Sequence, residues 1–220
     1  MVHATDCPRS VRLKSLPLKP LYVAGVAIPF WLAIALLILG SLYPDYSQFE
    51  QSMSVLGAVD APTHFIAPLI NNFPLGLLFI LFGVSVFKTF PQSALARVSG
   101  LLIVLHGLAS FVTGDFSCDA GCSPYNPSTA QQIHHIASLV MPWSLIVAGA
   151  IWAWLGLRLQ GFRGLAFFSM VLTLAALVTF PMVVISAKNL VGHGLYERVN
   201  TFVSAIWTAI FAVILLRRTA

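Results

Sequence analysis

Apolar residues along this chain run in long blocks separated by short polar segments. Six blocks, 21–42, 65–87, 98–113, 135–157, 164–186 and 199–216, are nearly free of charge. None shows the two-residue alternation of a membrane β-strand. A bilayer core of about 30 Å needs roughly 20 helical residues, so the pattern predicts six transmembrane helices. The third and sixth blocks are short and are expected to gain a polar turn at one end. Lipid offers the backbone no hydrogen-bond partners, which leaves helices as the spanning element here. The predicted fold class is all-α: a polytopic six-helix antiparallel bundle over 21–216, with tails 1–20 and 217–220.

Composition supports this picture. Hydrophobic residues make up 58% of the 220, and charged residues only 9%, against about 25% in a soluble domain. The first apolar block is too long for the core of a cleaved signal peptide and lacks a small-x-small site, so it is expected to remain as the first helix.

The charges that remain are sorted. With the N-terminus inside, ten of the twelve Lys and Arg residues (Arg9, Arg12, Lys14, Lys19, Lys88, Arg97, Arg158, Arg163, Arg217 and Arg218) fall on the cytoplasmic side, leaving Lys188 and Arg198 outside. The positive-inside rule then predicts a plasma-membrane protein with both termini cytoplasmic. The net +5 is spent on orientation, and no basic soluble face suits nucleic acid. Asp6 alone among the acids lies inside. Asp45, Glu50, Asp60, Asp115, Asp119 and Glu197 are outside, as are His64, His106, His134, His135 and His193.

That asymmetry directs attention to the outer segments. The first is "YPDYSQFEQSMSVLGAVDAPTH", in which "SQFEQSMSVLG" can form a helical turn at the interface; the second is "GDFSCDAGCSPYNPSTAQQIHHIAS". Cys118 and Cys122 flank "DAG", a spacing that fits a disulfide closing a tight turn at Gly121. A metal site made with nearby histidines is the alternative, and an oxidising compartment favours the bridge. Asp119 stands between the cysteines, and Asp115 ends the third span. His106 lies nine residues earlier, with Ser110 and Thr113 on its face. It can be a ligand or a packing histidine.

His134 and His135 open the fourth span, with Ser138 a turn later. Adjacent helical side chains diverge by about 100°, so only one can face a pocket, and His135 is the one favoured. Glu197, Thr201, Ser204 and Thr208 recur at i, i+4, i+7 and i+11, a polar line on an apolar helix. It is expected to wall an outward cavity, or to serve as interhelical glue. Asn71 and Asn72 sit between Pro68 and Pro74, which predicts a local break in the second helix, with asparagine satisfying a freed carbonyl.

"YSQFEQSMSVLGA", "NNFPLG", "CDAGC…HHIAS" and "GLYERVN" occur in this order across nearly the whole chain. Together they resemble the bacterial and archaeal membrane family catalogued as domain of unknown function 998. Tyr46, Ser52 and Ser54 are similar to its Tyr-Ser and Ser-x-Leu pattern, and Asp119 with His135 to its Cys-Asp-x-Gly-Cys and downstream histidine pair. Arg198 matches its arginine after "GL", whereas Glu197 stands where the family more often has glutamine. The resemblance implies the architecture and no activity.

Three functions fit these residues. In the first, His135 and His106, with Asp119, Asp115 or Glu197, hold a divalent metal such as zinc. Water on that metal attacks a lipid or small amphiphile at the outer leaflet, or, without metal, a His–carboxylate pair works with Ser54 as nucleophile. In the second, the polar residues, Asn71, Asn72 and Arg198 among them, bind or carry a lipid or solute without catalysis. In the third, the chain is a subunit whose outer loops dock a protein partner or a second copy, and the polar cluster is a structural clasp. Orientation is checked by cysteine labelling in a Cys7→Ser background. Asp60→Cys is expected to react with a membrane-impermeant maleimide in intact cells, and Thr219→Cys only after permeabilisation.

Overall fold

A computed structural model of the protein describes residues 18–219, apart from 124 and 190. The basic positions Arg9, Arg12 and Lys14, together with Cys7 and the rest of 1–17, lie outside the described residues. Among those described, six helices are long and apolar enough to cross a membrane. They are α1 (Lys19–Ser41), α2 (Phe73–Thr89, entered through a π turn at Pro68–Asn72), α3 (Ala94–Asp115), α4 (Thr129–Arg158), α5 (Arg163–Asn189) and α6 (His193–Thr219). Each packs against its neighbours in the chain, and α6 returns to α1 to close the ring. The fifth helix is the least buried and presents Phe167, Phe168, Leu174 and Val178 outward.

The helices run past the apolar blocks at both ends. The fourth starts at Thr129 rather than 135, because Ser128 caps it by accepting a hydrogen bond from the Gln131 amide. The third starts at Ala94 rather than 98, capped by Ser93. Beyond the fifth block the polar segment expected as a loop is helical up to Asn189 and again from His193. Lys19 and Pro20, assigned to the tail, already belong to α1, and Arg217 and Arg218 belong to α6. Hydropathy marks what lipid touches, whereas caps decide where a helix begins.

The core is aromatic and its few polar groups are paired. Trp152 is fully buried between Phe90, Phe162 and Phe211, and its indole donates to Ser99 Oγ at 2.8 Å. Trp207 does the same to Ser169 Oγ at 2.8 Å. The Tyr22 hydroxyl meets Thr89 Oγ1 at 2.7 Å, and that threonine donates to the Ser85 carbonyl.

The break expected near Asn71 is the π turn. Pro74 has no amide hydrogen for the Ile70 carbonyl four residues back. The Trp31 indole of α1 fills that vacancy, donating to Ile70 O at 2.8 Å. Asn72 instead ties the turn to α3: its Nδ2 donates to Thr113 Oγ1 at 3.0 Å, and its carbonyl accepts from Ser110 Oγ at 2.8 Å.

From there α2 and α3 run in backbone contact. Gly76 faces Gly107 and Gly83 faces Gly100, so that a Cβ on Gly83 would lie 2.7 Å from the Gly100 carbonyl oxygen and one on Gly76 2.7 Å from that of Gly107. In lipid, where no hydrophobic force drives helices together, such close approach supplies the van der Waals contact. Since the obstructing atoms are backbone, Gly83→Leu is expected to destabilise the bundle by about 3 kcal/mol or more, read as a lower unfolding temperature in mild detergent. The exposed Leu101→Ala is the control and should change it little.

Candidate functional site

The polar residues gather at the end of the bundle that carries segments 42–67, 116–128 and 190–192. Residues 42–67 fold across this end and are gripped from three sides. Met53–Gly57 form a short 3-10 turn within this segment, at the place where a helical turn was expected.

The first grip comes from α6. Its leading amide groups have no partners within the helix, and the crossing segment supplies them. Gly192 N donates to Glu50 Oε2 at 2.6 Å, Gly194 N to Glu50 O at 3.3 Å, and Leu195 N to Phe49 O at 2.8 Å. A side chain at Gly194 would collide with the Gln51 and Gln48 carbonyls, so the approach requires glycine. One turn on, Arg198 donates from Nε to Gln48 Oε1 at 2.8 Å, from Nη1 to Gln51 O at 3.0 Å and Gly194 O at 2.9 Å, and from Nη2 to the Tyr46 hydroxyl at 2.5 Å. That hydroxyl in turn donates a hydrogen bond to Ser52 O at 2.8 Å. Burial pushes the Tyr46 hydroxyl up to about 12, against the opposing pull of Arg198. Glu197 turns the other way, and its Oε2 accepts from Met53 N at 2.7 Å.

The second grip comes from the loop between α3 and α4. Cys118 and Cys122 form a disulfide, with Cα atoms 5.0 Å apart. Gly121, at φ +63°, makes the turn between them. Buried Cys118 packs on Ala58 and Ala61, and its carbonyl accepts from Val59 N at 3.0 Å. The loop is anchored to α4 by Gln131, fully buried, whose amide oxygen accepts from Asp119 N at 2.8 Å and whose Nε2 donates to Ser123 O. Asp119 Oδ2 accepts from Ser128 N at 2.8 Å. Hydrogen bonds from Ser128, and more weakly the nearby His135, hold its carboxyl below the usual aspartate range.

The third grip is a serine–histidine pair. His134 Nε2 lies 3.0 Å from Ser54 Oγ, and His134 Nδ1 lies 2.8 Å from the Phe116 carbonyl oxygen. A carbonyl only accepts, so Nδ1 carries the hydrogen and Nε2 is left to accept from the serine. His134, not the favoured His135, therefore faces inward: it is 5% exposed, whereas His135 points outward. The rotation of α4 that buries Gln131 and Ala137 also buries His134.

Other expected members of the site lie apart. His106 Nδ1 donates to the Met141 carbonyl at 2.9 Å, with its ring against Phe79. With a hydrogen on Nδ1 it is a packing histidine. Nine residues separate it from the exposed Asp115, about 13 Å along the helix. Among the described residues no group of three or more His, Cys, Asp or Glu side chains is placed to hold a metal ion. The α6 line does not wall an outward cavity. Thr201 and Thr208 donate back to their own helix at Glu197 O and Ala205 O. Ser204 borders a void of only about 10 Å³ beside Thr173 and Trp207. Ser138 is half-buried, and Asn71 Oδ1 is a buried acceptor with no hydrogen-bond partner among the described residues.

Sequence patterns missed Gln48, Glu50, Gln51 and Gln131, uncharged or single acidic residues in loops and at a helix start. Replacing Arg198 by Ala removes four charge-assisted bonds and should cost about 3 kcal/mol, and Lys should rescue little because it lacks the planar fork. A second check uses alkali. The raised Tyr46 hydroxyl contributes stability in full below pH 10, lost as pH rises through about 12. Over that window the unfolding temperature should fall more steeply in the native protein than in Tyr46→Phe.

No curated protein and no solved structure matches the chain significantly. One family does match, over residues 26–214, which takes in all three grips and every helix but the ends of the first and last. The chain therefore belongs to the membrane family described as Protein of unknown function (DUF998).

Proposed function

We propose that this integral membrane protein hydrolyses an ester of a lipid or small amphiphile at the outer leaflet of the plasma membrane, with Ser54 as nucleophile and His134 as general base. The observation that carries it is the Ser54–His134 pair, 3.0 Å apart, with the histidine tautomer set by the Phe116 carbonyl. Nucleophile, base and orienting acceptor are the three parts of an activated serine. A main-chain carbonyl here takes the place of the usual carboxylate.

The chemistry is simple to balance. Ser54 Oγ attacks the ester carbonyl as its proton passes to His134 Nε2. The imidazolium then gives that proton to the departing alcohol oxygen, and the acyl group stays on the serine. Water, deprotonated by the same nitrogen, cleaves the acyl-serine and restores the hydroxyl. Asp119 and His135 lie on the solvent side of this pair and are not assigned a step. The orientation that places it outside follows from the Lys and Arg distribution.

A second function is favoured by a different observation: Arg198, Glu197, Glu50 and Gln131 are all engaged within the protein. In that case the cluster is a clasp that shapes the end of the bundle for a protein partner or a second copy. The two are separated by Ser54→Ala and His134→Gln in purified protein. A hydrolase loses turnover of p-nitrophenyl butyrate by at least about 100-fold in both, with little change in stability for Ser54→Ala. A clasp shows no turnover in the native protein and a lower unfolding temperature in both variants.

A further inference from the structure

The seam between α3 and α4 contains an apolar groove of about 420 Å³, lined by Leu105, Leu108, Ala109 and Val112 on one helix and Ile133, Ile136, Ala137 and Val140 on the other. Its floor is two alanines, Ala109 at 5% and Ala137 at 6% exposure, while Leu108 and Ile136 stand up as rims, 51% and 65% exposed. Small floor residues between large rims make a channel where two leucines would have filled the seam. No lining residue has a polar side chain, and both helices lie within the spans, so lipid tails are what the groove meets.

At its upper end the lining residues are close in the chain to those that form the serine–histidine pair. Ile133 directly precedes His134. Val112 is one turn before Phe116, whose amide donates to the Val112 carbonyl at 2.9 Å and whose own carbonyl orients His134. The groove spans eight residues of each helix, about 10 Å of helical rise. A chain lying in it exchanges lipid contact for van der Waals contact with the alanine floor and the rims.

We propose that this groove holds the acyl chain of the ester cleaved at Ser54, which makes the substrate a long-chain lipid ester. The proposal rests on the hydrolase function given above. Two variants test it in purified protein: Ala137→Leu, which fills the floor, and Leu108→Trp at an exposed rim position, which covers the groove without entering the packed seam. Each is assayed on p-nitrophenyl acetate and p-nitrophenyl laurate. At least a tenfold fall on laurate, with acetate turnover kept within twofold, is expected of both, or of Leu108→Trp alone if Ala137→Leu fails to fold. An unchanged laurate-to-acetate ratio in Leu108→Trp overturns the groove and leaves the hydrolase standing. A diazirine-bearing palmitate gives a readout without turnover. It should label peptides 105–112 and 133–140 in Ser54→Ala as in the native protein, and less in Leu108→Trp. Labelling confined to other helices overturns the groove. Groove labelling in a protein that hydrolyses neither ester instead removes the hydrolase function and keeps the lipid site.

Discussion

A bilayer gives the chain no hydrogen-bond partner to replace one that is lost, and most of this architecture answers that constraint. Where Pro74 strips the Ile70 carbonyl of its amide, Trp31 from a neighbouring helix supplies a donor. Where Trp152 and Trp207 bury an indole, a serine on the adjoining helix receives it. Where α6 begins with unpaired amides, the backbone and Glu50 of a distant loop accept them. Each repair joins two elements, so satisfying the backbone also fixes which helices are neighbours. The glycine contacts of α2 with α3 add the close packing that hydrogen bonds alone do not give.

The same economy makes the Ser54–His134 pair ambiguous in one respect and informative in another. Both groups are hydrogen-bonded, which is what a clasp requires. Their order of donation, Nδ1 to the carbonyl and serine to Nε2, is also what a nucleophile requires. A purely structural histidine has no need of a serine at that nitrogen, since other acceptors and donors lie in the same loop.

The six spans, the broken second helix and the disulfide were legible because each is a local property: apolar length, a proline beside asparagines, two cysteines around a glycine. The choice between His134 and His135 was not local. It depends on the rotation of α4, set by Gln131 reaching Asp119 and Ser123, and neighbouring positions on a helix carry no mark of that rotation. The line from Glu197 to Thr208 misled for a related reason. Helical spacing shows that hydroxyls share a face, but not whether they look outward into a cavity or bond back to the preceding turn. Gln48 and Gln51 were invisible because their partner, Arg198, lies about 150 residues away.

That separation orders events during synthesis. Residues 46–53 leave the translocation machinery with the first helix, yet the arginine and the amides they hold belong to the last. Until α6 is inserted, this segment has lost its largest set of partners and must wait in water beside an open ring. The final helix thus does two things as it arrives: it completes the wall between α1 and α5, and it locks a loop made at the start. A chain stopped short of α6 would carry the serine but not the hold that seats it, so whatever this end of the molecule does must await that helix.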